Sequence, residues 1–167
     1  MKTNNYPNWL VSVEQAIKLK EIGFEEDCVF YTRVPKKRKE NLECVISVCH
    51  DPYDRILSGI NNRHHIETTT TFGVSIPTWE QVLEWFRGKG FIGVIDYYFD
   101  EEKNRPFYKG SIKNFHGELI FEATEIGEYK EAREWLVYQL IDEWKKVNEK
   151  ILNKHDWAIF MSGVLSM

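Results

Sequence analysis

The sequence predicts a single α+β domain, in which helices cover a mainly antiparallel sheet of about five strands. Two predicted helices begin with capping boxes, and the last third of the chain keeps a helical apolar period. The predicted strands come in runs rather than in strict alternation with helices, which argues against a doubly wound fold. The 167 residues, 43% of them apolar, can bury a core without disulfides. No repeat or flexible linker divides 1–167.

The first helix is predicted over 13–22. Ser12 and Gln15 form a capping box at its start, and apolar residues then recur at helical spacing. Gly23 follows directly and is typical of a helix end. We therefore expect a short amphipathic helix near the beginning of the domain.

Two strands and a long connection are predicted next. Residues 27–33 alternate as a strand does, and the β-branched segment 42–49 is expected to pair with them as a hairpin. Helix and strand signals weaken over 50–77, which is long for a loop in a compact domain. This loop is either functional or contains short elements. Candidates for such elements are one helical turn over 51–57 and a strand over 68–72.

The second half of the chain has the clearest local signals. Thr78 and Gln81 form a second capping box, and apolar side chains follow at helical spacing until Gly88 and Gly90. An antiparallel meander is predicted after this helix. Its three strands cover 91–99, 107–114 and 118–123.

The last predicted helix begins at Tyr129. Apolar residues continue in steps of three and four to Ile151, which predicts a helix of about 24 residues, roughly 36 Å long. Residues 157–167 then form an apolar tail, which is either docked on the core or used between subunits. We favour self-association, so a homo-oligomer is expected.

Charge and cysteine content restrict the class of protein. The 22 Lys and Arg against 26 Asp and Glu leave a net charge of −4, which disfavours extended nucleic-acid binding. Cys28, Cys44 and Cys49 are an odd number in a chain that needs no disulfide, which indicates a reducing compartment. The first residues lack a secretory signal, and no apolar stretch reaches the roughly 20 residues of a membrane span. A cytoplasmic protein without membrane contact is expected.

Three segments of the chain resemble a group of small uncharacterised proteins from Bacteroidetes genomes and their phages. The segments are 13–24, 76–87 with the helix start Pro-Thr-Trp-Glu-Gln, and 129–134 with Tyr-Lys-Glu-Ala-Arg-Glu. Residues 50–76 depart from that group. The resemblance carries no catalytic motif. It implies a phage context, in which compact proteins without catalytic signatures are often inhibitors of host systems or sequester their ligands.

Catalytic and metal-binding motifs are weak. The chain has no Gly-x-Ser-x-Gly, no P-loop and no Gly-x-Gly-x-x-Gly. Cys44 and Cys49 lie five apart in a predicted strand, on opposite faces, so we interpret them as structural thiols. Some residues have side chains that could bind a hydrolytic metal, but they lack a helical His-x-x-x-His spacing. No metal and no cofactor are therefore predicted. Those residues are His50, Asp51, His64 and His65, with Glu67 nearby.

Two groups of cations predict an anion site. The hairpin run places five positive charges within seven residues, and the long loop adds guanidinium, imidazole and an aromatic ring. The alternatives are a solvated hairpin tip and a merely ordered polar loop. Lys39 closes the hairpin run. The predicted ligand-binding residues are Arg33, Lys36, Lys37, Arg38, Tyr53, Arg55, Arg63, His64 and His65.

These observations favour a non-catalytic binding protein over an enzyme. The leading hypothesis is a phage-derived protein that sequesters a phosphate-bearing small molecule, such as a nucleotide immune signal, in the host cytoplasm. One alternative is a protein-binding inhibitor or adaptor of a host system that uses exposed aromatic side chains. Trp85, Trp135 and Tyr138 either mark such an interface or are buried by a wide helix face against the sheet. A further alternative is a small metal-dependent hydrolase built on the histidines named above.

Overall fold

The computed structural model describes residues 7–37, 46–48, 59–63, 65 and 67–164, with side chains as far as residue 149. Its helices are α1 (Val13–Glu21), α2 (Trp79–Gly88) and α3 (Tyr129–Val164). Its strands are β1 (Phe30–Pro35), β2 (Ser47–Val48), β3 (Thr71–Ile76), β4 (Ile92–Asp100), β5 (Arg105–Lys113) and β6 (Leu119–Glu122). The α+β class is confirmed. The strands form two antiparallel sheets, ordered β2-β1-β3 and β4-β5-β6, rather than one sheet of about five strands.

Both predicted capping boxes are present. At the start of α1 the Ser12 hydroxyl accepts the N–H of Gln15 at 3.2 Å, and the Gln15 side chain accepts the N–H of Ser12 at 3.1 Å. Thr78 and Gln81 make the same reciprocal pair at the start of α2. Each box satisfies two N–H groups that a helix start otherwise leaves unpaired.

The first sheet differs most from its prediction. The hairpin is confirmed where it is described, since β1 pairs with β2 through Phe30 and Tyr31. The end of the predicted 50–77 loop is strand β3, which pairs with the whole of β1. The strand predicted over 68–72 overlaps β3 only at Thr71 and Phe72, whereas β3 continues to Ile76. Gly73 and Ser75 interrupt the strand-forming residues Phe72, Val74 and Ile76, so the local pattern does not extend the prediction. The helical turn predicted over 51–57 lies outside the described residues.

The second sheet and the last helix follow the predicted order. The meander of β4, β5 and β6 is confirmed, with each strand within a few residues of its predicted bounds. Helix α3 has 36 residues instead of about 24, a length of about 54 Å. It continues through 152–162 because that stretch contains neither proline nor glycine to end it. Residues 157–164 therefore belong to α3 rather than to a separate tail.

One apolar core joins the two sheets through the helices. Helix α1 packs on β3 and on α3, while α3 packs on β4 and β5 and α2 packs on β4. Trp85 lies in this core, with its ring 5.5 Å from that of Phe24 and 4.9 Å from that of Phe86. Of the two alternatives for Trp85, the structure therefore bears out burial and not an exposed interface, because α2 buries a wider face than its periodic stripe indicates.

No helix in the described part of the chain combines the length and the apolar character that a membrane span requires.

Candidate functional site

The outer face of the first sheet carries one of the predicted cations beside an aromatic ring. The register of β1 and β3 places Arg33 opposite Gly73 and Tyr31 opposite Ser75. Thr32, between the two β1 residues, is buried, whereas Arg33 is exposed and Tyr31 half-buried. Because side chains alternate along a strand, Tyr31 and Arg33 share the face that points away from the core. We call this surface the polar face.

His65 lies on the polar face, directly over Gly73. A Cβ added to Gly73 would be 2.6 Å from Cγ and Nδ1 of His65, so any larger residue at this position would displace the imidazole. The imidazole ring is 5.7 Å from the ring of Tyr31. Arg33, the residue opposite Gly73, therefore has a histidine and a tyrosine beside it. A guanidinium fork and two aromatic rings can together bind a phosphate and stack on a base.

A chain of hydrogen bonds fixes the orientation of His65. The Ser75 hydroxyl donates to the carbonyl of Ile60 at 2.9 Å, which uses its only hydrogen. Its contact of 3.0 Å with Nε2 of His65 is then one in which Oγ accepts, so the network assigns a proton to Nε2. The imidazole is held before any ligand arrives. Such preorganisation lowers the entropy cost of binding.

The segment that carries His65 is attached to the sheet by Asn62. The Asn62 side chain accepts the N–H of Ser75 at 3.0 Å and donates to the carbonyl of Phe24 at 2.8 Å, and it is buried. Cys28 and Ile60 exchange two main-chain hydrogen bonds nearby, at 3.0 and 2.9 Å. Tyr31, Asn62 and Ser75 were not among the predicted site residues. Only Tyr31 had a usable signal, because it lies two residues before Arg33 in an alternating strand.

The other predicted cations divide into paired and unpaired ones. Lys36 lies 3.3 Å from a carboxylate oxygen of Glu67. Arg63 is bonded to Glu25, whose hydrogen bond and charge raise the pKa of the Arg63 guanidinium. A ligand anion would compete with these carboxylates. Arg33 and Lys37 have no ion-pair partner within the described residues. The remaining predicted positions lie outside the described residues: Arg38, Tyr53, Arg55 and His64.

The structure offers little support for nucleophilic or metal chemistry. Burial, with the nearby charges of Asp27 and Glu26, raises the pKa of the Cys28 thiol to about 12, so it is not a thiolate at neutral pH. Among residues 7–37, 46–48, 59–63, 65 and 67–164, no three His, Cys, Asp or Glu side chains come together as metal ligands. The other predicted metal-ligating residues are outside the described part: Cys44, Cys49, His50, Asp51 and His64.

An apolar patch lies on the second sheet, at the turn between β5 and β6. Phe115 and Leu119 are 67% and 57% exposed, and Ile120 is also exposed. The ring of Phe115 lies against Gly90, where an added Cβ would be 3.1 Å from it. Large apolar side chains that stay exposed at one turn are a feature of many protein contact sites. We call these three residues the turn patch.

Comparisons with protein-family models, with curated proteins and with solved structures find no match to this chain. The resemblance to proteins of Bacteroidetes and their phages therefore stays a prediction.

Proposed function

We propose that the chain is a non-catalytic binding protein that holds a phosphate-bearing small molecule on the polar face. The observation that carries this proposal is the juxtaposition of Arg33, Tyr31 and His65 on one side of the first sheet. Arg33 supplies two directed donors for phosphate oxygens, and Tyr31 supplies a ring for stacking. His65 adds a second ring beside that of Tyr31, and Ser75 holds its orientation.

A nucleotide is the ligand class that uses all three groups. A phosphate alone would leave the tyrosine ring without a role, whereas a nucleotide presents a base as well as a phosphate. The net charge of −4 disfavours long polyanions, so the ligand is a single nucleotide or a cyclic dinucleotide. The resemblance to phage proteins makes signalling nucleotides of a bacterial host the first compounds to test, with sequestration as the biological role.

Calorimetry with a panel of nucleotides and cyclic dinucleotides tests the proposal. We expect Arg33→Ala to weaken binding by about 1.5–3 kcal/mol, since it removes a hydrogen-bond donor to a charged group. Arg105→Ala is the matched control, because it removes the same charge from an exposed site on the second sheet. Binding should also weaken as salt rises, because exposed charges are screened over about 10 Å at 0.1 M. Equal loss in both variants would refute a local site.

Gly73→Ala tests the role of the imidazole without touching a charge. The new methyl group would occupy the position of the His65 ring and displace it from Ser75 and Tyr31. We expect weaker nucleotide binding than in the unchanged protein, because the displaced ring no longer lies beside Tyr31 and Arg33. Nucleotide binding indifferent to Gly73→Ala would remove His65 from the proposed site and leave Arg33 alone.

A second candidate function is inhibition or recruitment of a host protein, and the turn patch favours it. An exposed pair such as Phe115 and Leu119 is the type of anchor that protein interfaces bury at their centres. Leu119→Asp separates the two functions. Nucleotide binding that survives Leu119→Asp but not Arg33→Ala supports ligand capture. No binding of any nucleotide would put the protein-binding function ahead.

A further inference from the structure

Strand β4 is an open edge of the second sheet. On the far side of β5, Tyr108 exchanges hydrogen bonds with Ile126 at 2.8 and 2.9 Å, and the carbonyl of Gly110 accepts from Ala123 at 2.8 Å. The partners of these β5 residues on β4 are Tyr97 and Ile95. Because a residue in a strand directs both main-chain groups to the same side, these pairs carry no hydrogen bonds between β4 and β5. Tyr97 and Ile95 therefore direct theirs to the outer edge.

Phe99 follows the same alternation. Three alternate residues of β4, namely Ile95, Tyr97 and Phe99, therefore direct their main-chain donors and acceptors to the open edge. Within the described part of the chain, the main-chain groups of Ile95, Tyr97 and Phe99 have no hydrogen-bond partner on that edge. The side chains of Tyr97 and Phe99 are 62% and 51% exposed. Strand β4 contains Asp96 and Asp100 but no lysine, proline or bulge, and an open edge of this length is a template for pairing with another strand.

We propose that β4 pairs with β4 of a second copy of this chain, antiparallel across a two-fold axis at Tyr97. Tyr97 then exchanges two hydrogen bonds with the partner's Tyr97, and Ile95 exchanges two with the partner's Phe99. The symmetric pair of Phe99 and the partner's Ile95 gives two more, so six edge groups of each copy are satisfied. The two sheets become one continuous sheet of six strands, ordered β6-β5-β4 and then the same strands in reverse.

The charges of β4 select this register. Moving the axis by one residue toward Asp96 would place Asp96 opposite the partner's Asp96, and moving it toward Tyr98 would place Asp96 opposite the partner's Asp100. Like charges in directly opposed positions are about 4.5 Å apart between Cα atoms and destabilise the pairing. With the axis at Tyr97, Asp96 faces the partner's Tyr98 and Asp100 faces the partner's Val94. No carboxylates oppose each other.

The side chains on the same edge are also self-complementary. Tyr97, Ile95 and Phe99 lie on one face of β4 and pair with the same three residues of the partner subunit. Tyr97 would bury its exposed ring against the partner's Tyr97, and Ile95 would pack against the partner's Phe99. Cross-strand aromatic and aliphatic pairs of this kind stabilise sheets. A foreign strand would need a matching sequence, whereas a second copy has one. The contact uses no residue of the polar face and lies on the other sheet, so it stands independently of the proposed ligand.

Cysteine cross-linking tests the register. In the proposed dimer, Tyr97→Cys brings two cysteines to a Cα separation of about 5.5 Å, within the range of a disulfide. Phe99→Cys is the matched control, because it lies about 14 Å from the partner's position 99. We expect a disulfide-linked dimer from Tyr97→Cys, and none from Phe99→Cys or from the unchanged protein with its own cysteines. Cross-linking of Phe99→Cys, or no cross-linking of Tyr97→Cys, overturns the proposed register.

Sedimentation of the full chain at micromolar concentrations tests the pairing itself. Tyr97→Pro removes an outward N–H that the monomer does not use, so it should raise the dimer dissociation constant by about tenfold. Tyr97→Phe keeps the N–H and the ring and should leave the constant unchanged. The proposal is overturned if the unchanged protein sediments as a monomer, or if Tyr97→Pro leaves the dimer dissociation constant unchanged. Should Tyr97→Pro fail to fold, the cross-linking result decides.

Discussion

Strands β3 and β4 are edge strands of the two antiparallel sheets, and their free edges differ. On β3, four of the six outward main-chain groups of Thr71, Gly73 and Ser75 are bonded. The N–H of Ser75 is bonded to Asn62 at 3.0 Å, the carbonyl of Gly73 to Nζ of Lys20 at 2.8 Å, and Thr71 to Thr68. On β4 the corresponding groups have no partner among the described residues. The strand sequence alone does not decide whether an edge can pair.

The difference assigns separate roles to the two sheets. At β3 the residues that satisfy the edge also carry or support the polar face, because Asn62 holds the segment that ends in His65. At β4 nothing in the described chain covers the edge, and the residues whose main-chain groups point outward, Ile95, Tyr97 and Phe99, carry apolar or aromatic side chains. We therefore propose the first sheet as a face for a small ligand and the second as an edge for another strand. The following substitutions test this contrast, from the largest expected effect to the smallest.

Asn62→Ala should have the largest effect on stability. It leaves the buried N–H of Ser75 and the carbonyl of Phe24 without partners, which we expect to lower the free energy of unfolding by about 2–4 kcal/mol. Urea denaturation measures this. Asn61→Ala is the control, since Asn61 bonds to Asp27 in an exposed position and should cost less than about 1 kcal/mol. Equal costs would mean that Asn62 does not hold the edge.

Alkylation of the Cys28 thiol reports local opening of the segment that Asn62 attaches to the sheet, without global unfolding. Cys28 is suited to this because it pairs with Ile60 of that segment. Its pKa is about 12 in the folded state against about 8.5 when exposed, so folding keeps it protonated. The stability that folding gains by keeping the thiol protonated is fully present below about pH 8.5 and is lost as pH rises toward 12. Alkylation of Cys28, followed by peptide mass spectrometry, should therefore be slow at pH 7 and faster in Asn62→Ala. Rapid alkylation in the unchanged protein would contradict the burial.

Two glycines compare the packing on the two sheets. A Cβ on Gly110 would lie 2.4 Å from the ring of Trp135, between β5 and α3, so Gly110→Ala should cost about 1–3 kcal/mol of unfolding free energy. Gly73→Ala meets the imidazole of His65 on the outer face, where the ring has solvent to move into, and should cost less. Thermal unfolding of both variants shows which substitution lowers the stability more. The reverse order would mean that the polar face is more tightly packed than the core side of the second sheet.

Lys20→Met should have a moderate effect. It removes the hydrogen bond from Nζ to the carbonyl of Gly73 while keeping an apolar stem over Phe72, and we expect a loss of about 1 kcal/mol in urea denaturation. Lys18→Met is the control on the same helix, since its 3.8 Å ion pair with Glu14 is exposed and should contribute less than about 0.5 kcal/mol. No difference between the two variants would show that the β3 edge does not need Lys20.

Tyr97→Lys should have the smallest effect on the folded monomer. The side chain is largely exposed, so the free energy of unfolding measured at high dilution should change by less than about 0.5 kcal/mol. At higher concentration the unchanged protein should unfold at a higher urea concentration, because dimerisation stabilises the folded state by mass action. In Tyr97→Lys the midpoint should not depend on protein concentration. A concentration-independent midpoint in both proteins would argue against an edge that pairs.

The amino-acid sequence by itself determined the α+β class, both capping boxes, helix α2 and the meander. Each of these depends on residues within a few positions of one another, such as Ser12 with Gln15, and on the periods of helices and strands. The sequence predicts a strand over 68–72, and tertiary structure decided its extent over Thr71–Ile76, because its pairing comes from β1 about forty residues earlier. It also decided that Arg63 binds Glu25, that His65 lies over Gly73, and that the β4 edge is open. Contacts between residues so far apart along the chain leave no local pattern in the sequence.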